Sequence, residues 1–110
     1  MKLMNQEEKA HHSAHLPDAS GVQTKVEFDN ERVRVLRFHF EPHAKIPMHA
    51  APDVVSVALT DGHLRLTLPD GTTRDYHYKA GEADWAPAQS HAGENMSGMP
   101  LEFIAVQLKR

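Results

Sequence analysis

The chain has 110 residues, of which 40% are hydrophobic and 25% charged, with no cysteine and a formal net charge of −3. That length supports one domain with a real core and leaves no room for a second, and the composition excludes a coiled coil, a collagen-like fibre and a wholly disordered chain. A disulfide scaffold, a thiol nucleophile, an iron–sulfur cluster and a cysteine-bound zinc are excluded with the cysteines, and the charge makes no case for nucleic acid.

The unusual feature is nine histidines. Three of them, His11, His12 and His15, fall in a polar lead over residues 1–20. Imidazoles on such a segment are not preorganised for a metal, so it reads as a mobile N-terminal arm, able to add a strand to a partner's sheet. The lead lacks the apolar core of a secretory signal, and no stretch approaches the roughly 18 apolar residues of a transmembrane helix. The expectation is a soluble, cytoplasmic protein with no membrane partner and a single domain over residues 21–110.

The body reads as strands between turn signals. Val22–Asp29 and Glu31–Phe40 flank Asn30. In the second segment the apolar phase changes, from Val33 and Val35 to Leu36, Phe38 and Phe40, which predicts a bulge or a strand passing between sheets. Asp53–Leu59 is dense in valine, as in a strand covered on both faces. Asp61-Gly62 and Asp70-Gly71 are hairpin signals of the type I′ kind. Between them His63–Leu68 alternates, with Leu64, Leu66 and Leu68 on one face. Arg74–Tyr78 alternates after the second signal, Tyr76 and Tyr78 sharing a face that reads as half-exposed. Ala80-Gly81 marks another turn, and Leu101–Leu108 closes the series. Prolines at 42, 47, 52, 69, 87 and 100 break any long helix. Eight or nine short strands at even spacing predict an all-β sandwich or barrel, immunoglobulin-like or jelly-roll.

Two segments narrow that choice. One runs from Pro42-His43-Ala44-Lys45-Ile46-Pro47-Met48-His49-Ala50-Ala51-Pro52 to Asp61-Gly62. The other is Gly81-Glu82-Ala83-Asp84-Trp85-Ala86-Pro87-Ala88-Gln89-Ser90-His91-Ala92-Gly93-Glu94-Asn95. Together they resemble the two motifs of the cupin family, G-x5-H-x-H-x3–4-E-x6-G and G-x5-P-x-G-x2-H-x3-N. The spacings His43 to His49, Gly81 to Pro87 and His91 to Asn95 match. The resemblance covers about Val33 to Leu108. It implies a small double-stranded β-helix, a jelly-roll barrel of two antiparallel sheets, whose mouth holds a divalent transition metal (iron, manganese, nickel, zinc or copper) or a small-molecule ligand. It also implies a homodimer, which the two-sided apolar content of Val33–Phe40 supports independently.

The motifs are incomplete. His49 and His91 stand at two of the four ligand positions. Ala51 stands at the second-histidine position, and Val55 or Ser56 at that of the glutamate. Gln89 replaces a turn glycine, and Pro87 to His91 is one residue short. A catalytic metal needs about three protein ligands and an open site. Asp53 is the nearest carboxylate to the first motif, and alternation points Glu94 away from His91. The candidate third ligand is His39, on the condition that Leu36, Phe38 and Phe40 face outward. His43 reads as a turn residue, since histidine tolerates left-handed backbone. Met48, pointing opposite to His49, reads as core. The pocket implied at the barrel mouth comprises His49, Ala51, Ser56, Trp85, His91 and Asn95.

Three functions fit: a binder of a small molecule in the barrel mouth with a weak or absent metal site; a metal-dependent enzyme of the dioxygenase or isomerase type using His49 and His91; and a non-catalytic dimeric interaction module. No Ser–His–Asp arrangement and no glycine-rich phosphate loop is present.

Overall fold

The computed structural model describes residues 20–109. The nine strands among them are β1 (Val22–Asp29), β2 (Val33–Phe40), β3 (Lys45–Ala51), β4 (Val54–Ala58), β5 (Gly62–Thr67), β6 (Thr73–Tyr78), β7 (Ala83–Ala86), β8 (Gln89–Asn95) and β9 (Leu101–Leu108). They build a five-stranded sheet in the order β1-β2-β9-β4-β7 and a four-stranded sheet in the order β3-β8-β5-β6. Every strand pair is antiparallel. No helix among the described residues is long and apolar enough to cross a membrane. The histidine-bearing lead, His11, His12 and His15, lies outside the described residues.

Alternation puts one face of each sheet against the other. Leu36, Phe38, Phe40, Leu101 and Ala105 come from the larger sheet, and Ile46, Leu64 and Leu66 from the smaller; together they form the core. Each such side chain, fully buried, contributes roughly 1.5–3 kcal/mol by leaving water, alanine less. Phe103 stacks on Phe38 with ring centroids 5.1 Å apart, extending the aromatic part of that wall.

The phase change in β2 has a different cause from either one expected. β2 stays in one sheet and keeps an unbroken register with β9, from Val33↔Leu108 to Phe40↔Leu101. The bulge lies in the neighbouring strand β1, between Val26 and Phe28. It turns Phe28 to the outer face, opposite Val35, while Val26 still faces inward beside Leu36. Val33 and Val35 therefore belong to a second apolar surface, on the outside of the sheet.

The turn signals divide. Asp70-Gly71 does join a hairpin, β5 to β6, but only Gly71 takes a positive φ, 89°, so the loop is not type I′. Asp70 Oδ1 instead accepts hydrogen bonds from the Thr72 amide and hydroxyl, at 3.0 and 2.7 Å. Asp61-Gly62 is not a hairpin, because β4 and β5 belong to different sheets. Gly62 opens β5 there for steric reasons: a Cβ would stand 2.5 Å from Cδ1 of the fully buried Leu101. His43 takes φ 63°, the left-handed geometry expected of its turn. Met48 does point opposite to His49, but outward, and it is exposed rather than core.

Candidate functional site

β3 and β8 pair so that His49 and His91 stand directly opposite each other. Both rings line the interior, edge to face, with centroids 4.8 Å apart and an interplanar angle of 82°. His49 Nδ1 lies 3.0 Å from the Pro47 carbonyl oxygen. A carbonyl only accepts, so Nδ1 donates the proton of that bond. His91 Nδ1 is buried and has no hydrogen-bond partner among the described residues. Burial, and secondarily the nearby His49, pushes the His91 pKa down to about 4. His91 is therefore a neutral imidazole at pH 7.

The cavity onto which they face has a volume of about 80 Å³ and is mainly apolar, walled by Phe38, Phe40, Leu64, Leu66 and Phe103. Its other polar groups are Ser56, Gln107, Tyr76, Tyr78 and Asp84. Tyr78 and Asp84 come from β6 and β7, the edge strands of the two different sheets. The Tyr78 hydroxyl donates to Asp84 Oδ2 across that edge at 3.3 Å. Burial holds the Asp84 carboxyl above its ordinary pKa, opposed by the Tyr78 hydrogen bond. Burial, reinforced by the Asp84 charge, raises the Tyr78 phenol well above its own.

Of the residues expected at the pocket, His49, Ala51, Ser56 and His91 line this cavity. Trp85 does not: it is 54% exposed. In β7 it pairs with Val55 on the outer side of the sheet, while its neighbour Asp84 faces in. Asn95 is fully buried away from the cavity, its amide nitrogen donating to the Met99 carbonyl at 2.8 Å and the Glu41 carbonyl at 3.2 Å. His39, the candidate third ligand, does not line this cavity. Leu36, Phe38 and Phe40 face the core, so His39 faces out, with Nδ1 2.7 Å from Glu102 and Nε2 3.2 Å from Glu41. Those carboxylates, Glu102 first, raise its pKa. Asp53 accepts a hydrogen bond from the Ala88 amide at 2.8 Å.

Tyr76, Tyr78 and Asp84 are the site residues that sequence reasoning missed. The tyrosines carried a usable signal, because hairpin register pairs Tyr76 with Leu64 and so places it on the leucine face. Asp84 carried none, since hydrophobicity alone would turn Trp85 inward.

A metal centre of the usual kind does not fit these residues. No group of three or more His, Asp or Glu among the described residues is placed to hold an ion. Ala51 lines the cavity where a second imidazole would be needed, and Val55 pairs on the outer side. The donor set is two imidazoles, short of the three that hold a catalytic metal.

Two facing antiparallel sheets with a histidine pair on the inner wall define a double-stranded β-helix barrel with an interior site. No family model matches the sequence, and no curated protein matches it. Solved structures do. A cupin domain from Bordetella pertussis superposes with a TM-score of 0.76 at 28% identity, over 84% of this chain and 98% of that one. The polyketide cyclase RemF from Streptomyces resistomycificus gives 0.65 at 23%, over 84% and 68%. A predicted oxalate decarboxylase from Thermotoga maritima gives 0.59 at 20%, over 86% and 92%. The chain therefore has the double-stranded β-helix fold of these cupin structures.

Proposed function

We propose that the protein binds a small organic molecule inside the barrel, with His49 and His91 as polar groups of the site and without dependence on a metal centre. The observation that carries this reading is the convergence of two imidazoles, a carboxyl and a phenol on one apolar-walled cavity. The His91 Nδ1 without a partner supports it, because a buried polar atom is ordinarily hydrogen-bonded and a ligand group could satisfy it. The neighbours' names, a polyketide cyclase and a predicted oxalate decarboxylase, differ in chemistry, so the shared fold selects neither.

The test is elemental analysis of untagged protein beside a fragment screen read by amide NMR, each repeated on His49→Ala/His91→Ala. The expected result is well below one transition metal per chain, and fragment-induced shifts along β3 and β8 that survive a chelator and vanish in the double variant. One metal per chain, lost in that variant, would overturn the reading in favour of a metal-dependent enzyme of the dioxygenase or isomerase type. Silence in both arms would favour the interaction module.

A homodimer through the outer face of the larger sheet is proposed for the same barrel. Phe28, Val35, Val106, Val55 and Trp85 occupy one register row across all five strands of that sheet. Phe28 and Trp85, at its two ends, are large exposed hydrophobic side chains. A second copy presents the same row, as a two-fold interface requires. Sedimentation at micromolar concentration should give a dimer, and Trp85→Glu should give a monomer. A wild-type monomer under those conditions removes the proposal.

A further inference from the structure

Tyr78 and Asp84 hold an unusual place in the fold. They stand on edge strands that no backbone ladder joins, and their hydrogen bond spans the gap between the two sheets. They also lie between two spaces. One is the interior cavity; the other is a cleft of about 300 Å³ on the outside of the barrel, lined by Tyr76, Tyr78, Asp84 and Glu82 among others. The Tyr78 ring packs against the core, whereas a carboxyl placed beside it costs desolvation that a Ser or an Ala would avoid.

The surroundings specify what such a group could recognise. Among the described residues lining the interior cavity there is no Lys or Arg, and Asp84 is its one carboxyl. An anion entering would face that carboxyl without a permanent cation to balance it. The walls are aromatic: Phe38 and Phe103, stacked on each other at 16°, line the cavity from one sheet, and Tyr76 and Tyr78, stacked at 11°, line it from the other. The volume, about 80 Å³, limits the enclosed part of a ligand to one ring at most. Asp84 has one hydrogen-bond partner among the described residues, the Tyr78 hydroxyl on Oδ2, which leaves Oδ1 to accept from a ligand.

We propose that Tyr78 and Asp84 are the recognition end of the interior site, and that the site takes an uncharged planar ring bearing a hydroxyl, phenolic or enolic, whose O–H donates to Asp84. This rests on the reading of the barrel interior as a binding site and names its ligand class. The apolar walls bind the ring whether or not the hydroxyl is present. The Tyr78–Asp84 pair then separates a hydroxylated ring from a bare one and from a carboxylate.

The test titrates the full chain with phenol, benzene and benzoate at pH 7, with dissociation constants taken from amide shifts. Phenol keeps its proton at that pH and benzoate does not. Wild-type protein should bind phenol at least about tenfold more tightly than benzene or benzoate. In Asp84→Leu, phenol should fall to the affinity of benzene while benzene itself still binds, which shows that the cavity has survived. Tyr78→Phe keeps the ring wall and serves if the first variant does not fold; it should narrow the phenol-to-benzene ratio severalfold. Equal binding of phenol and benzene by wild type, tighter binding of benzoate, or an unchanged phenol preference in Asp84→Leu would overturn the assignment of Tyr78 and Asp84. Failure of all three probes to bind would instead overturn the reading of the interior as a binding site, and the assignment with it.

Discussion

Asn95→Ala is expected to destabilise the barrel by about 3 kcal/mol, from unsatisfied buried groups rather than from lost apolar area. The Asn95 side chain is fully buried and ties three segments together. Its two amide hydrogens are shared among the Phe40, Glu41 and Met99 carbonyls, which lie 3.4, 3.2 and 2.8 Å from the nitrogen. Its carbonyl oxygen accepts from the Ser97 amide and hydroxyl, both at 3.0 Å. Alanine leaves those backbone groups short of partners at the point where β2 ends and the turn into β9 begins. For a domain of this size the melting temperature should fall by roughly 15 °C. Ser97→Ala, which removes one donor and leaves the amide contact intact, should cost about 1 kcal/mol. A fall of less than a few degrees for Asn95→Ala would show that Asn95 is not this tie.

The second large effect is expected at the closed end of the β1–β2 hairpin. Asp29 is only 3% exposed and accepts from Arg34 Nε at 3.3 Å and from the Lys109 ammonium. Arg34 is itself mostly buried. Asp29→Ala leaves that guanidinium without its carboxylate, and breaking a buried pair from one side costs roughly 3–5 kcal/mol. Replacing both members with apolar residues of similar size, Asp29→Leu with Arg34→Met, should recover most of the loss, because the desolvation penalty goes with the charges. Urea denaturation of Asp29→Leu, Arg34→Met and the double variant measures this as a coupling energy. Additive losses would mean that the pair does not act as a unit.

The legible parts of this protein were those fixed by local pattern. β1 and β9 have the predicted limits, Val22–Asp29 and Leu101–Leu108, because Gly21, Asn30 and Pro100 punctuate them. The facing of His49 and His91 followed from motif spacing and alternation. The orientation of His39 was not fixed, since β2 is apolar on both faces and only its partners decide which face is the core. The same ambiguity misplaced Trp85: the outer face of the larger sheet is apolar enough to take a tryptophan, which frees the inner face of β7 for Asp84. Asn95 was read as a mouth residue because its motif position suggested one. Its hydrogen-bond partners lie on strands and turns that pattern alone does not bring together.

The sheet order also has a kinetic consequence. β9, the last of the nine described strands, lies between β2 and β4 and pairs with both, while β2 pairs on its other side with its sequence neighbour β1. Bringing Leu108 back to Val33 closes a loop that contains nearly the whole barrel, and the entropy of that closure is lost before its contacts form. Slow folding, on the millisecond-to-second scale of non-local β topologies, follows from this order. Until β9 is laid in place, β2 and β4 each present an open edge flanked by valines and phenylalanines, and open edges of that kind pair with other chains. The interval of greatest exposure to aggregation therefore comes just before the step that completes the core, and any substitution that delays β9 lengthens it.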